Sequence, residues 1–165
     1  DITVLIKNPI NPELNLWIGA IERLQDAGVY NIAAIHRGFF AYKNSKYRNI
    51  PQWQLALDLK RKFPDLPMIC DPSHISGNSN LIMEIAQKAM DMSYHGLMIE
   101  THIDPKNALS DKEQQITPLE LDEILNNLIV RNFDTDNKEF KATLKQLRIQ
   151  IDLSLIHISE PTRRS

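Results

Sequence analysis

One imidazole and two carboxylates stand at or just beyond the ends of short apolar runs: His74 in DPSH, Glu100 in GLMIETH and Asp111 in ALSD. Gathered at one mouth of a parallel sheet, a nitrogen and two oxygen donors suit a borderline divalent ion such as Mn, Fe, Co or Zn. Each residue also has a plain structural reading, His74 as the cap of a turn and the two acids as solvated loop residues. Their common placement at strand ends favours the chemical reading when the three are taken together.

The elements that must position such a site alternate strictly. Thr3 to Lys7 reads as a strand; a helix follows with Asn11 as cap, Pro12 at its first position, Leu14, Trp17, Ile18, Ile21 and Leu24 on one face, and Gly28 as the stop. Ile32 to His36 is the second strand. The polar loop Arg37 to Ile50 leads into a helix opened by Pro51 and running to about Phe63. Pro67 to Asp71 is the third strand, and the cluster Ser76 to Ser79 precedes a helix that buries Ile82, Ile85, Ala86 and Ala89. Gly96 to Thr101 is the fourth strand. Thr117, Pro118 and Glu120 then spell a capping box for a helix with Leu121, Ile124, Leu125 and Leu128 inward.

Nearly all-apolar strands joined by amphipathic helices imply a parallel sheet covered by helices. Polar residues collect just after the strands, at Lys7-Asn8, His36-Arg37, Asp71 to His74 and Glu100 to His102, the side on which such sheets bind ligands. A complete (β/α)8 barrel takes roughly 250 residues. Four units within residues 1–132 therefore predict an α/β fold that is half of a TIM barrel.

The 165 residues are 42% hydrophobic and 24% charged, within the ordinary globular range. A net charge of -2 gives no global reason to bind nucleic acid or an anionic membrane, so an anionic ligand must be held by local cations. No apolar run approaches the length of a membrane span. The single cysteine, Cys70, excludes an internal disulfide and fits a reducing, cytoplasmic setting; its thiol reads as buried apolar filler. The chain begins at Asp1 on a strand-like run, so its natural start is expected upstream.

In this order, the segments VLIKNP, IAAIHRGF, YRNIPQW, DPSHISG, GLMIETH and ALSDKEQQITP resemble the last four βα units of type I DAHP synthases, the shorter beta class in particular. The resemblance spans about Ile2 to Leu128. It implies a barrel that condenses phosphoenolpyruvate with erythrose 4-phosphate, the first committed step of the shikimate pathway to aromatic amino acids, and a homo-oligomer at full length. It also implies a divalent metal ion held by His74, Glu100 and Asp111, three of the family's four ligands. The fourth, a cysteine on the first barrel strand, has no counterpart here, because Cys70 sits in a different segment.

The lysine of VLIK and the arginine of HRG match the family's phosphoenolpyruvate pair, which makes Lys7 and Arg37, together with His74, the expected catalytic residues. An Arg fork and a Lys point charge suit a small ligand that carries both phosphate and carboxylate. Arg48, in YRN, either meets the second phosphorylated substrate or holds the loop. The related synthases of the eight-carbon lipopolysaccharide sugar use the same scaffold and stand as the alternative enzyme. An inactive barrel segment with a binding or regulatory role is the alternative outside catalysis.

Past the barrel-like part, 133–137 reads as a polar connector and 138–152 as a helix with Phe140, Leu144, Leu147 and Ile151 on one stripe. Its string TLKQLRIQID resembles the opening of the first helix of a chorismate mutase domain, which follows such barrels in some bifunctional enzymes. That makes Arg148 a candidate for binding carboxylates of the mutase substrate; the alternative is an exposed arginine on an ordinary amphipathic helix. Within 153–165 the chain reads LSLIHISEPTR, which resembles the translation of a transposase adapter used in sequencing libraries. That tail, His157 included, is expected to be artefactual and to play no part in the fold.

Overall fold

The computed structural model describes residues 2–40, 42, 45–131 and 137–159, with the side chains of the last helix described as far as Ile151. The chain divides into two compact units, Asp1–Val130 and Arg131–Ser165.

In the first unit four parallel strands, β1 (Val4–Lys7), β2 (Ile32–His36), β3 (Met68–Cys70) and β4 (Gly96–Leu97), pair in chain order. Parallel neighbours need crossover connections, and helices α1 (Leu14–Asp26), α2 (Trp53–Lys62) and α4 (Ile82–Asp91) supply them. A short helix, α3 (Pro72–Ser76), is inserted between β3 and α4. This is the α/β, parallel, strand-then-helix architecture that the alternating pattern predicts.

The register puts Ile6, Ala34 and Met68 in line across the sheet, and His36, Cys70 and Leu97 in a second line. These residues face the helices. There they meet Trp17 and Ile21 of α1, Ala56 and Leu59 of α2, and Ile85 and Ala89 of α4, with Phe39 and Tyr94 closing the cluster. Every residue of β2 is buried, the pattern of a strand covered on both faces. On β1 the alternate residues Leu5 and Lys7 are exposed.

Several element ends differ from the sequence pattern. The first helix starts at Leu14, not at Pro12, because the Asn11 carbonyl accepts the Glu13 N–H at 2.8 Å and closes a turn there; no side chain caps the helix. The second starts at Trp53, after Gln52 has taken a left-handed φ of 42°. The fourth strand ends at Leu97: Met98 N–H still donates to the Cys70 carbonyl at 2.7 Å, and the chain then leaves the ladder until Thr101 bridges Ile116.

The capping box of α5 (Pro118–Asn127) is present, with Thr117 and Glu120 bonding each other's backbone N–H. Leu121, Ile124 and Leu128 are half-buried, but Leu125 is exposed and does not face inward. No residue of this helix is fully buried.

In the second unit α6 (Lys138–Ser159) is helical past the expected end at Asp152, since no proline or glycine interrupts it before Pro161. Phe140, Leu144, Leu147 and Ile151 are all exposed. The expected connector at 133–136 and the residues 160–165 lie outside the described residues.

Candidate functional site

The site begins with a helix cap. Asp71 follows β3 directly, Pro72 takes the first helical position of α3, and Asp71 Oδ1 accepts the backbone N–H of His74 at 3.0 Å. One turn of helix thus places the imidazole next to the carboxylate that caps it. His74 Nδ1 lies 2.8 Å from Asp71 Oδ2 in a bent contact, and His74 Nε2 points to Glu100, 3.6 Å from Oε1. Glu100 is itself held from the α3 side, its N–H donating to Ser73 Oγ at 3.0 Å.

A second chain of contacts ties Glu100 to the loop after β2. Gln114, almost fully buried, donates through Nε2 to Glu100 Oε2 at 2.7 Å and accepts at Oε1 from Arg48 Nη1 at 2.6 Å. The same Arg48 nitrogen donates to Asp111 Oδ1 at 2.6 Å. Arg48 reaches this point because its loop is clamped to α3: Arg48 N–H donates to the Ser76 carbonyl and Asn49 N–H to the Ile75 carbonyl, both at 3.1 Å. Asn49 Nδ2 adds a bond to the His74 carbonyl at 2.7 Å. Gly77 permits the close approach, since a Cβ there would stand 2.5 Å from Arg48 Cβ, and its φ of 62° is in the left-handed region.

Lys7, the last residue of β1, reaches Asp71 Oδ2 at 3.3 Å, so one carboxylate oxygen faces both Lys7 and His74. Arg37 follows β2 and is anchored by its backbone, its N–H donating to the buried Asn8 Oδ1 at 2.6 Å. Asn8 also donates to the Gly38 carbonyl at 2.8 Å, locking the ends of β1 and β2 together. The Arg37 side chain makes no ion pair among the described residues. Arg148 is exposed on α6, in the other unit.

Electrostatics separates these groups. Burial pushes the Asp71 carboxyl up, but hydrogen bonds and charge from His74, with Lys7 behind them, outweigh it and hold Asp71 below the usual carboxylate range. The Arg48 hydrogen bond likewise holds Asp111 low. On the helix side of the same strands, burial drives the Cys70 thiol well up, as expected for filler.

Among the described residues, no group of three or more His, Cys, Asp and Glu side chains is close enough to hold a metal ion. The His74–Glu100 pair comes nearest. Donors 3.6 Å apart can share an ion whose bonds are about 2.0–2.2 Å long, and the N/O chemistry fits. Asp111 is paired with Arg48 instead, so as a third donor it has to exchange a guanidinium for the ion. Sequence reading placed Asp71 and Ser73 after the third strand without giving them a role, and missed Asn49 and Gln114. Only Asp71 had a local signal, the Asp-Pro pair opening a helix after a strand.

A parallel α/β sheet with cations, carboxylates and an imidazole gathered past its strand ends has the layout of an aldolase-type barrel. The chain belongs to the DAHP synthetase I family, which its residues 1–135 match. It is 26% identical over 113 residues to a phospho-2-dehydro-3-deoxyheptonate aldolase of Thermotoga maritima, covering 68% of this chain and 33% of the relative. A 2-dehydro-3-deoxyphosphooctonate aldolase of Helicobacter acinonychis is 33% identical over 94 residues, covering 50% of this chain and 33% of the relative. The solved truncated form of 3-deoxy-D-arabino-heptulosonate 7-phosphate synthase from Thermotoga maritima superposes with a TM-score of 0.69 and 26% identity, covering 75% of this chain and 47% of that one. The chain thus spans about a third of the length of the curated relatives it matches.

Proposed function

We propose that this chain supplies one side of the active site of a metal-dependent synthase that joins phosphoenolpyruvate to erythrose 4-phosphate, giving DAHP and phosphate. The observation that carries the reading is the convergence of Lys7, Asp71, His74, Glu100 and Arg48 past consecutive strand ends in a member of this family. A new bond forms between carbon 3 of phosphoenolpyruvate and the aldehyde carbon, water adds to carbon 2, and the carbon 2 to oxygen bond breaks as phosphate leaves. Lys7 and Arg37 neutralise the phosphate and carboxylate of phosphoenolpyruvate and fix its orientation. His74, Glu100 and Asp111 would hold a divalent ion. Bound there, that ion supplies Lewis-acid polarisation of the aldehyde oxygen. Arg48 offers its guanidinium to the second phosphate.

The helix α6, with Arg148, is read as the opening of a fused chorismate mutase domain, and the parent protein as a cytoplasmic homo-oligomer. The names of the Helicobacter relatives favour a second reading, in which a five-carbon sugar phosphate is the acceptor and the product has eight carbons. One experiment addresses both. This chain is mixed with the separately produced N-terminal half of a family member, and phosphoenolpyruvate consumption is followed with four- and five-carbon sugar phosphates and added Mn, Fe, Co or Zn. Consumption that depends on erythrose 4-phosphate is expected. Consumption only with the five-carbon acceptor overturns the first reading in favour of the second, and activity of this chain alone overturns the view that it holds one side of the site.

A further inference from the structure

A helix cap needs one oxygen, and at Asp71 that oxygen is Oδ1, which accepts the His74 backbone N–H. The other oxygen has no part in the cap. It is buried, with only 1% of the side chain exposed, and it meets two groups from separate elements: His74 Nδ1 at 2.8 Å and Lys7 Nζ at 3.3 Å. The Asp71 backbone is fixed as well, its N–H donating to the His36 carbonyl at 2.8 Å. Opposite, Glu100 Oε1 stands 3.6 Å from His74 Nε2, beyond hydrogen-bond length. The imidazole therefore has a buried carboxylate oxygen close to Nδ1, though outside hydrogen-bond alignment, and no oxygen within hydrogen-bond length of Nε2 among these contacts.

We infer that Asp71 is a positioning residue of this site: through Oδ2 it keeps His74 in the Nδ1–H form, with Nε2 presented toward Glu100 as a donor atom, and holds the Lys7 ammonium beside it. The inference rests on the reading of His74 as a metal donor. A carboxylate behind a metal-binding histidine sets the tautomer and aims the ring, and its removal weakens metal binding by about 10- to 100-fold. The Nδ1 contact is 2.8 Å long but outside hydrogen-bond alignment, so the pairing rests on the proximity of the buried carboxylate. Sharing Oδ2 between His74 and Lys7 gives one buried charge control over both the metal donor and the anion-binding cation.

The variant that separates this role from capping is Asp71→Asn, which can keep an oxygen at the cap and the side-chain volume but loses the charge and the second acceptor. The full chain is titrated with cobalt(II) against a competing chelator, apo melting is recorded, and the His74 ring nitrogens are read by NMR at pH 8. The wild type is expected to show the Nδ1–H form and to bind cobalt through Nε2. Asp71→Asn is expected to bind cobalt about 10- to 100-fold more weakly, with a mixture of His74 tautomers, and the apo chain is expected to melt somewhat lower because the charge that His74 and Lys7 stabilise is gone. Equal cobalt affinity and an unchanged tautomer in the variant overturn the inference and leave the metal reading standing. A wild type whose His74 is unmoved by cobalt overturns the metal reading itself. An Nε2–H tautomer in the wild type overturns the role of Asp71 with no variant needed, even where Asp71→Asn fails to fold.

Discussion

His36, the last residue of β2, and His74, in the short helix after β3, are the same side chain in opposite surroundings. His36 is fully buried among Trp17, Phe39, Trp53 and Tyr94, on the helix side of the sheet. Its partners are neutral and complementary: Nε2–H donates to the Pro51 carbonyl at 2.5 Å, and Nδ1 accepts from Tyr94 OH at 2.8 Å. Burial lowers its pKa to about 4, against smaller raising effects of the Pro51 bond and Asp71. His74 has a carboxylate at each nitrogen, and only the Asp71 side is in close contact. A histidine with both nitrogens satisfied by neutral groups is a piece of core. One flanked by charge with a nitrogen left over can do chemistry.

Breaking the helix side should give the largest effect. Trp17 is fully buried, packs edge-on to Phe39 and leaves a cavity when truncated, so Trp17→Ala should cost about 3–5 kcal/mol in denaturant unfolding. Trp17→Phe should cost clearly less, because it also removes an indole N–H that has no hydrogen-bond partner. If the two variants lose the same stability, the cavity account of this face is wrong.

Acid should sharpen the contrast next. The folded-state pKa of His36, about 4, lies below its ordinary 6.5, so between those values the unfolded chain binds more protons than the folded one. The contribution is fully present above pH 6.5 and is lost as pH falls toward 4, a loss on the order of 3 kcal/mol. Asp71 adds its own loss at still lower pH, as its depressed carboxyl is protonated. Unfolding midpoints measured from pH 7.5 to 4.5 should fall steeply in the wild type and less in His36→Gln. Equal slopes would show that another group carries the acid sensitivity.

The two sides also differ in how far the sequence disclosed them. Buried strands and helix faces are periodic, so β2, the α4 face and the apolar role of Cys70 could be read from residue type and spacing alone. The strand-end residues His74, Glu100 and Lys7 were marked by position. What joins them was not: Arg48 lies 63 positions from Asp111 and 66 from Gln114, and no local pattern encodes a hydrogen bond over that separation. Ends of elements were misread for a similar reason. A turn closed by the Asn11 carbonyl and a strand ended by the departure of the chain from its partner are tertiary events, invisible to a capping rule.

The smallest effect is expected at Arg48, and it decides between the two roles its sequence allowed. Arg48 and Asp111 are substantially exposed, 49% and 34%, and ion pairs in contact with water add little to stability because solvent screens them. The loop does not depend on the guanidinium, since Asn49 bonds both the Ile75 and His74 carbonyls without it. Arg48→Ala should therefore lower the denaturation midpoint only slightly, through the Gln114 Oε1 left without its donor, and hydrogen exchange at Asn49 should remain slow. That outcome leaves the arginine's charge available to a ligand. A clear drop in midpoint with fast exchange at Asn49 would instead make Arg48 the fastening of its loop, and the pair with Asp111 would belong to the scaffold, as His36 does.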